Sequence, residues 1–289
     1  MEEKNKMEKY QNAIKKVLTD ESSNYRRTRS GVDAISLFDY NEKYDLRKGF
    51  PLVTTREVDP NAIFTEMLWF LKGDTNIKYL NDNKVHIWDK WADKNGNLGP
   101  IYGSQWRKWK GAEGEEIDQI EKVIQGIKED PYSKRHIVNA WNPSDLDKMA
   151  LPPCHTQFQF YVDPESKSLD CKLFQRAEDV ALGMPFNVAG YAFLTSLIAK
   201  ETELKPRFFS HSIGDIHIYC GKGKRGDFYK KNLEKIKQKV AEAKNPEDYL
   251  KIRNWILENA PSEEFSEKKG RTEQYDHVPN VLEQLSRKP

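Results

Sequence analysis

Cysteine is scarce: Cys154, Cys171 and Cys220 are the only three in 289 residues, too few and too unevenly spaced for a disulfide framework. No CxxC pair is present, so a thiolate-held zinc is not expected either, and the site is read as metal-free. Strong charge of one sign is also missing, because 47 Lys and Arg stand against 45 Asp and Glu for a net charge of +2. That balance excludes the global field of a dedicated nucleic-acid binder, so any anionic ligand must be held by a local cluster. No apolar run approaches the roughly 20 residues that cross a bilayer, and the opening MEEKNKMEKYQNAIKKVL lacks the apolar core of a signal peptide. A cytoplasmic protein without membrane association is expected, with reduced thiols.

What is present is periodicity. Met7, Tyr10, Ile14, Val17 and Leu18 fall at helical spacing and predict an amphipathic helix over 7–19. Residues 34–38 and 43–46 read as two short strands around a polar turn. Ala62–Leu71 is almost wholly apolar yet holds one carboxylate, Glu66, which predicts a buried helix carrying a buried acid. Strict alternation over 156–162 and 169–173 predicts two strands joined at Asp163-Pro164. The nearly unbroken apolar run from Phe186 to Ala199, with Pro185 before it, predicts a core helix, and Phe208–Cys220 returns to strand. After Cys220 the composition turns basic and polar. Two sparse helical stripes, Phe228 to Val240 and Tyr249 to Ile256, are broken by Pro246 and read as a helical hairpin over 221–274.

Cys154 lies in Leu151-Pro152-Pro153-Cys154-His155 at the entry to a strand, where two prolines fix the chain and a side chain can face a pocket. A buried core cysteine is the plain alternative. Downstream, Gln175-Arg176-Ala177-Glu178-Asp179, Gly183-Met184-Pro185-Phe186-Asn187 and Gly214-Asp215-Ile216-His217-Ile218-Tyr219 each put polar groups at the end of an apolar element, where side chains converge on ligands.

These segments resemble the thymidylate synthase family. The resemblance is carried by PPCH, FQRxxDVxLGxPFN and GDxHIY, and by FPLVTT at Phe50–Thr55, EMLWFLKGDTN at Glu66–Asn76, IWDKWADxNGxLGPIYGxQWR at Ile87–Arg107 and SKRHIVNAWN at Ser133–Asn142. It runs in register from about residue 8 to Cys220 and returns at Asp276–Pro289. The resemblance implies an α/β fold with a large, mostly antiparallel sheet, covering helices, and an open sheet face that forms a homodimer interface. The 1–220 segment is then the catalytic domain, 221–274 an inserted basic helical hairpin, and 275–289 a return to the domain that stops before the family's C-terminal closing segment.

It further implies a thymidylate synthase that converts dUMP to dTMP with 5,10-methylenetetrahydrofolate as co-substrate. Cys154 matches the thiolate that adds to pyrimidine C6 so that C5 can attack the folate's one-carbon unit. Arg176 matches a phosphate-binding arginine whose charge would lower the thiol pKa, although a surface salt bridge is its plain reading. Asn187 matches the amide that accepts from N3–H and donates to O4 of uracil; it could instead cap the core helix. Glu66, Tyr102 and His155 match a proton-transfer network at O4 and C5, and Glu66 alone could be half of a buried ion pair. Phosphate contacts fall to Arg29, Arg176 and, across the dimer, Lys134 and Arg135, while His217 and Tyr219 match the pair on the sugar hydroxyl. Trp88, Asp179 and Gly183 match folate-contacting positions, Asp179 also counting with the catalytic group.

Several positions depart from the family pattern. Ala177 replaces a phosphate-binding serine and Lys134 an arginine, which weakens the phosphate site or admits another nucleotide, and Gly190 replaces a serine of the core-helix motif. The absence of the closing segment puts water exclusion over the folate in doubt. Two alternatives follow: a dUMP or, less favoured, dCMP hydroxymethylase, and a weakly active relative that binds or regulates. The second would use a patch of Lys222, Lys224, Arg225, Lys230 and Lys231, possible for nucleic acid but more commonly a solvated face.

Overall fold

Alternating residues after Cys154 pair into the centre of a six-stranded sheet. The computed structural model describes residues 2–28, 31–262, 266–268, 271–273 and 275–288. In chain order the strands are β1 (Asn24–Arg27), β2 (Asp33–Asp45), β3 (Trp109–Lys110), β4 (Glu116–Ile117), β5 (Ile137–Asn139), β6 (His155–Asp163), β7 (Ser168–Asp179), β8 (Lys205–Tyr219), β9 (Ser266–Lys268) and β10 (Arg271–Glu273). The large sheet runs β1-β2-β8-β7-β6-β5, while β3-β4 and β9-β10 form small ribbons. Every pairing in the large sheet is antiparallel except β7 with β8.

A parallel pair needs a crossover, and here it is the predicted core helix. The helices are α1 (Glu2–Thr19), α2 (Pro60–Leu71), α3 (Lys78–Asp82), α4 (Tyr102–Arg107), α5 (Gln119–Glu129), α6 (Gly183–Glu201), α7 (Gly223–Glu242), α8 (Pro246–Asn259) and α9 (Val278–Ser286). The crossover helix α6 buries Tyr191, Leu194 and Ile198 against the sheet face that carries Phe158, Leu173 and Phe209. Tyr191 stacks on Phe209 with ring centroids 5.9 Å apart. The opposite face is uncovered, and it leaves Phe38 76%, Tyr161 56% and Phe174 47% exposed.

Two readings of local structure change. The expected turn between residues 38 and 43 does not exist: β2 runs straight through, and Asn41, Glu42 and Lys43 pair with Ser212, His211 and Ser210. Asn41 and Lys43 point to the exposed face, while Glu42 lies on the other and pairs with Lys9 of α1, so the polar run marks no break in the strand. The irregularity is absorbed at Asp39, whose φ of 69° lies in the left-handed region that Asp tolerates. Pro246 does not merely separate two stripes. It opens α8 at the first helical position, with the Asn245 side chain accepting from the Asp248 N–H.

The chain leaves the sheet at Cys220 and comes back beside it at Asp276, the two residues forming an isolated antiparallel bridge. Arg225 of α7 closes this excursion: its Nε donates to Asp276 Oδ2 at 2.6 Å and its Nη1 to the Pro261 carbonyl at 2.6 Å. The Tyr229 hydroxyl donates to the same Asp276 oxygen at 2.7 Å, while Asp276 Oδ1 accepts from the Val278 N–H that starts α9. Arg225 is therefore buried and drops out of the basic patch expected from sequence. Phe228 and Trp255 join α7 to α8, with centroids 5.7 Å apart.

Candidate active site

The parallel strands end together, Asp179 opposite His217, and β6 begins beside them with His155 opposite Gln175. The first turn of α6 starts just past the end of β7. Ligands bind beyond the carboxyl ends of parallel strands because loops and a helix start meet there. Cys154, Arg176, Asp179, Gly183, Asn187, His217 and Tyr219 are gathered at that end by topology.

Cys154 is half-buried. Its backbone is held from both sides: its N–H donates to the Tyr102 hydroxyl at 2.8 Å and its carbonyl accepts from the Arg176 N–H at 2.8 Å. Arg176 also reaches back over the proline pair, Nε donating to the Pro153 carbonyl at 2.8 Å and Nη2 to that of Pro152 at 2.9 Å. Its guanidinium lies 5.6 Å from the centre of the Trp141 ring. Arg176 is thus no surface ion pair but a clamp on the nucleophile loop. Burial pushes the Cys154 thiol up, Arg176 pulls it down and Glu178 adds to the rise, for a net upward shift. The expected influence of Arg176 has the right sign, but desolvation outweighs it. Cys171 and Cys220 are fully buried, and burial pushes the Cys171 thiol to about 12.

On the far side of Tyr102 lies the acid. Glu66 Oε1 accepts from the Trp88 indole N–H at 2.6 Å, and no cation pairs with it among the described residues. The ion-pair alternative therefore falls away. The side chain keeps partial access through the cleft while protein surrounds the rest, and burial raises its pKa to about 7 against the lowering effect of Trp88. The ring of Tyr102 is 5.2 Å from His155 and 4.7 Å from Phe70. Burial pushes His155 down to about 4, with Asn187 opposing. At neutral pH the imidazole is neutral and the acid titrates nearby in pH, a state suited to moving protons in either direction.

That raised value predicts a pH-dependent stability. Native Glu66 holds its proton up to about 7 while the unfolded chain loses it near 4.5, so its stabilising contribution is complete below 4.5 and lost as pH rises through 7. A neutral Glu66→Gln chain does not lose it. At about 1.4 kcal/mol per pKa unit the ceiling is about 3 kcal/mol, lowered by water in the cleft. Urea unfolding at pH 4.5 and pH 8 should show the variant gaining roughly 2 kcal/mol on the natural chain between the two; parallel pH profiles would refute the shift.

Asn187 is the fifth residue of α6, at the start of its second turn, and caps nothing. Its Nδ2 lies 3.0 Å from each carboxyl oxygen of Glu178, a residue only 2% exposed. The thymidylate synthase family model matches residues 8–289. The chain belongs to the thymidylate synthase family.

Family membership makes the protein an enzyme of one-carbon transfer in nucleotide synthesis, from a family whose carbon donor is methylenetetrahydrofolate. Against that background the other predicted positions fall into place unevenly. Asp179 Oδ1 accepts from the Ala181 and Leu182 N–H groups at 2.8 and 3.3 Å, and Oδ2 is 3.5 Å from His277 Nδ1. Burial works to raise Asp179, but the hydrogen bond and charge of His277 win and hold it below the usual range. His217 Nδ1 is 3.2 Å from Asp215, and its ring centroid is 4.8 Å from that of Tyr219. Trp88 is 7% exposed, so it offers an edge rather than an open face to the cleft. Gly183 has a spatial reason to be glycine, since a Cβ there would come within 2.5 Å of Glu178 Oε1.

Lys134 and Arg135 are exposed, and this chain does not bring them to Cys154. The Lys134 carbonyl accepts from Gln159 Nε2, a residue roughly 13 Å along β6 from His155 at strand spacing. Arg29 lies outside the described residues. Glu178 was passed over by sequence reading; a carboxylate two positions after Arg176 and just before Asp179 was the available signal. A cavity of about 470 Å³ adjoins the site on the α9 side, lined by Arg56, Ala181, Leu182, His277, Asn280 and Arg287 among others. It does not include Cys154, so the thiol and this cavity are neighbours rather than one space. Among the described residues no His, Cys, Asp and Glu cluster is placed to hold a metal, and no helix is long and apolar enough to cross a membrane.

Proposed function

We propose that the protein is a thymidylate synthase, converting dUMP and methylenetetrahydrofolate to dTMP and dihydrofolate in the cytoplasm. The observation that carries this reading is the setting of Cys154, a half-buried thiol in a loop clamped by Arg176 and Tyr102, with Glu66 and His155 across the Tyr102 ring. Cys154 Sγ adds to C6 of the pyrimidine and the C5=C6 electrons move onto C5 and O4. Glu66, poised near neutrality, takes and returns protons at O4 and C5 through water, with Tyr102 and His155 beside it. Asn187 reads the base edge, His217 and Tyr219 the sugar hydroxyl, and Arg176 the phosphate. The folate would supply the one-carbon unit and, for a methyl product, the hydride that reduces it.

The residues present fit that co-substrate. Trp88, Asp179 and Gly183 border the site, and the adjoining cavity carries Arg56 and Arg287, suited to the carboxylates of a folate tail. The uncovered apolar face with Phe38, Tyr161 and Phe174 is the homodimer interface in this reading, and it would bring Lys134 and Arg135 of a second copy to the phosphate. Hydroxymethylation is the second reading, favoured by the same cavity, which opens next to Asp179 and can admit water to the transferred carbon. Incubation with dUMP and labelled methylenetetrahydrofolate separates the two: dTMP with dihydrofolate supports the first, hydroxymethyl-dUMP without dihydrofolate the second. No labelled nucleotide at all would sink both.

Asn187→Asp is expected to move the kcat/KM ratio of dCMP over dUMP upward by about tenfold or more, since a carboxyl no longer offers uracil the amide's paired donor and acceptor. The new carboxyl would stand against Glu178, and two buried acids at that spacing share one proton. An unchanged ratio would remove Asn187 as the base reader.

A further inference from the structure

Beneath Asn187 runs a chain of buried polar side chains that the reaction as described does not use. Glu178, Gln175 and His211 are 2%, 1% and 1% exposed. Gln175 spends its amide nitrogen on the Ala177 carbonyl at 2.9 Å, and its Oε1 is 2.8 Å from His211 Nε2. His211 Nε2 is also 3.8 Å from Glu178 Oε2, and Gln175 is hydrogen-bonded to the Glu178 carboxyl. Burying a carboxyl in apolar protein is costly unless its neighbours satisfy it. Here the fold accommodates it by leaving Gly183 without a side chain directly above.

We propose that Glu178 is a positioning residue that locks the Asn187 amide in one orientation and so makes the enzyme's choice between uracil and cytosine exclusive. The proposal rests on the reading of Asn187 as the base reader. An amide side chain is nearly symmetric in shape, and a 180° turn about its last bond exchanges donor for acceptor. Uracil and cytosine differ at N3 and C4 by that same exchange. A free amide therefore reads either base at the cost of a flip. In this structure Nδ2 faces both oxygens of Glu178 at 3.0 Å, so the flipped form would press Oδ1 against two acceptors in a buried site.

The lock is firmest with Glu178 ionised, when both of its oxygens can only accept. Burial raises its pKa well above the usual carboxylate range, so the acid can carry a proton. The Asn187 and Gln175 side chains oppose that rise, each favouring the ionised acid.

The test is equilibrium binding of dUMP and dCMP, without folate, to the full chain and to its Glu178→Gln and Glu178→Ala variants. Both nucleotides share sugar and phosphate, so a merely structural loss weakens them equally and leaves their ratio unmoved. Glutamine keeps the volume but offers a donor as well as an acceptor, and alanine removes the partner. The natural chain is expected to separate the two nucleotides by at least about tenfold, the scale of one hydrogen bond. In both variants the ratio should fall to within about threefold. A natural chain that binds both nucleotides alike, or folded variants that keep the ratio, would overturn the lock while leaving the functional reading intact. Binding of neither nucleotide to the natural chain would overturn that reading and this inference with it.

Discussion

Replacing Cys154 with alanine is expected to lower product formation by about four orders of magnitude or more, the scale on which loss of a covalent nucleophile acts in other enzymes. The reason is geometric as well as chemical. Both other thiols are fully buried, so neither replaces it. The clamp that presents residue 154 uses its backbone N–H and carbonyl, which alanine keeps, so the loop should hold its shape. Stability should change by less than about 1 kcal/mol, since the side chain is half-buried and makes no hydrogen bond that the fold relies on. Turnover measured alongside thermal unfolding separates chemistry from folding. With 5-fluoro-dUMP and folate, the natural chain should yield an adduct mapped to Cys154 by peptide mass spectrometry. Turnover well above background in a folded variant would remove Cys154 from its role.

The largest expected loss of stability lies far from that thiol, at Asp276. This carboxylate is fully buried and receives Arg225 Nε, the Tyr229 hydroxyl and the Val278 N–H, which tie α7, the returning chain and α9 together. Replacing it with alanine strands the Arg225 guanidinium in protein. Breaking a buried pair from one side costs about 3–5 kcal/mol, because the remaining charge stays desolvated. For a chain of this size the melting temperature should drop on the order of 10 °C. The paired change Arg225→Met with Asp276→Leu should recover a large part of the loss, since neither charge is then left alone. A fall confined to the single variant would confirm desolvation as the cause; an equal fall in both would point to packing instead.

Much of the sheet could be read directly, for a physical reason. The strands β6 and β7 are covered on one face only, so apolar and polar residues alternate along them, and α6, buried all round its length, stands out as an apolar run. The strand β2 was split in two because its middle, Asn41-Glu42-Lys43, pairs with the polar Ser212, His211 and Ser210, so the apolar alternation is interrupted there. Short elements such as β5 and α4 were missed, since neither is long enough to show a period.

The candidate site divides along the same line. Sequence by itself determined which residue types stand in the family's motifs, because each motif is local: the proline-fixed Cys154, the acid in an apolar helix at Glu66, the amide near the start of α6. It could equally name the departures, Ala177 and Lys134. Only tertiary structure decided what those groups face. Whether Glu66 meets a cation or an indole, whether Arg225 is a surface charge or a buried tie, and whether burial or Arg176 governs the Cys154 thiol are set by contacts between residues far apart in the chain. Glu178 is the sharpest case. In sequence it is one of four polar residues in a run of five, and it becomes Asn187's partner only because the parallel end of β7 meets the start of α6, a neighbourhood made by the crossover and by the missing side chain at Gly183.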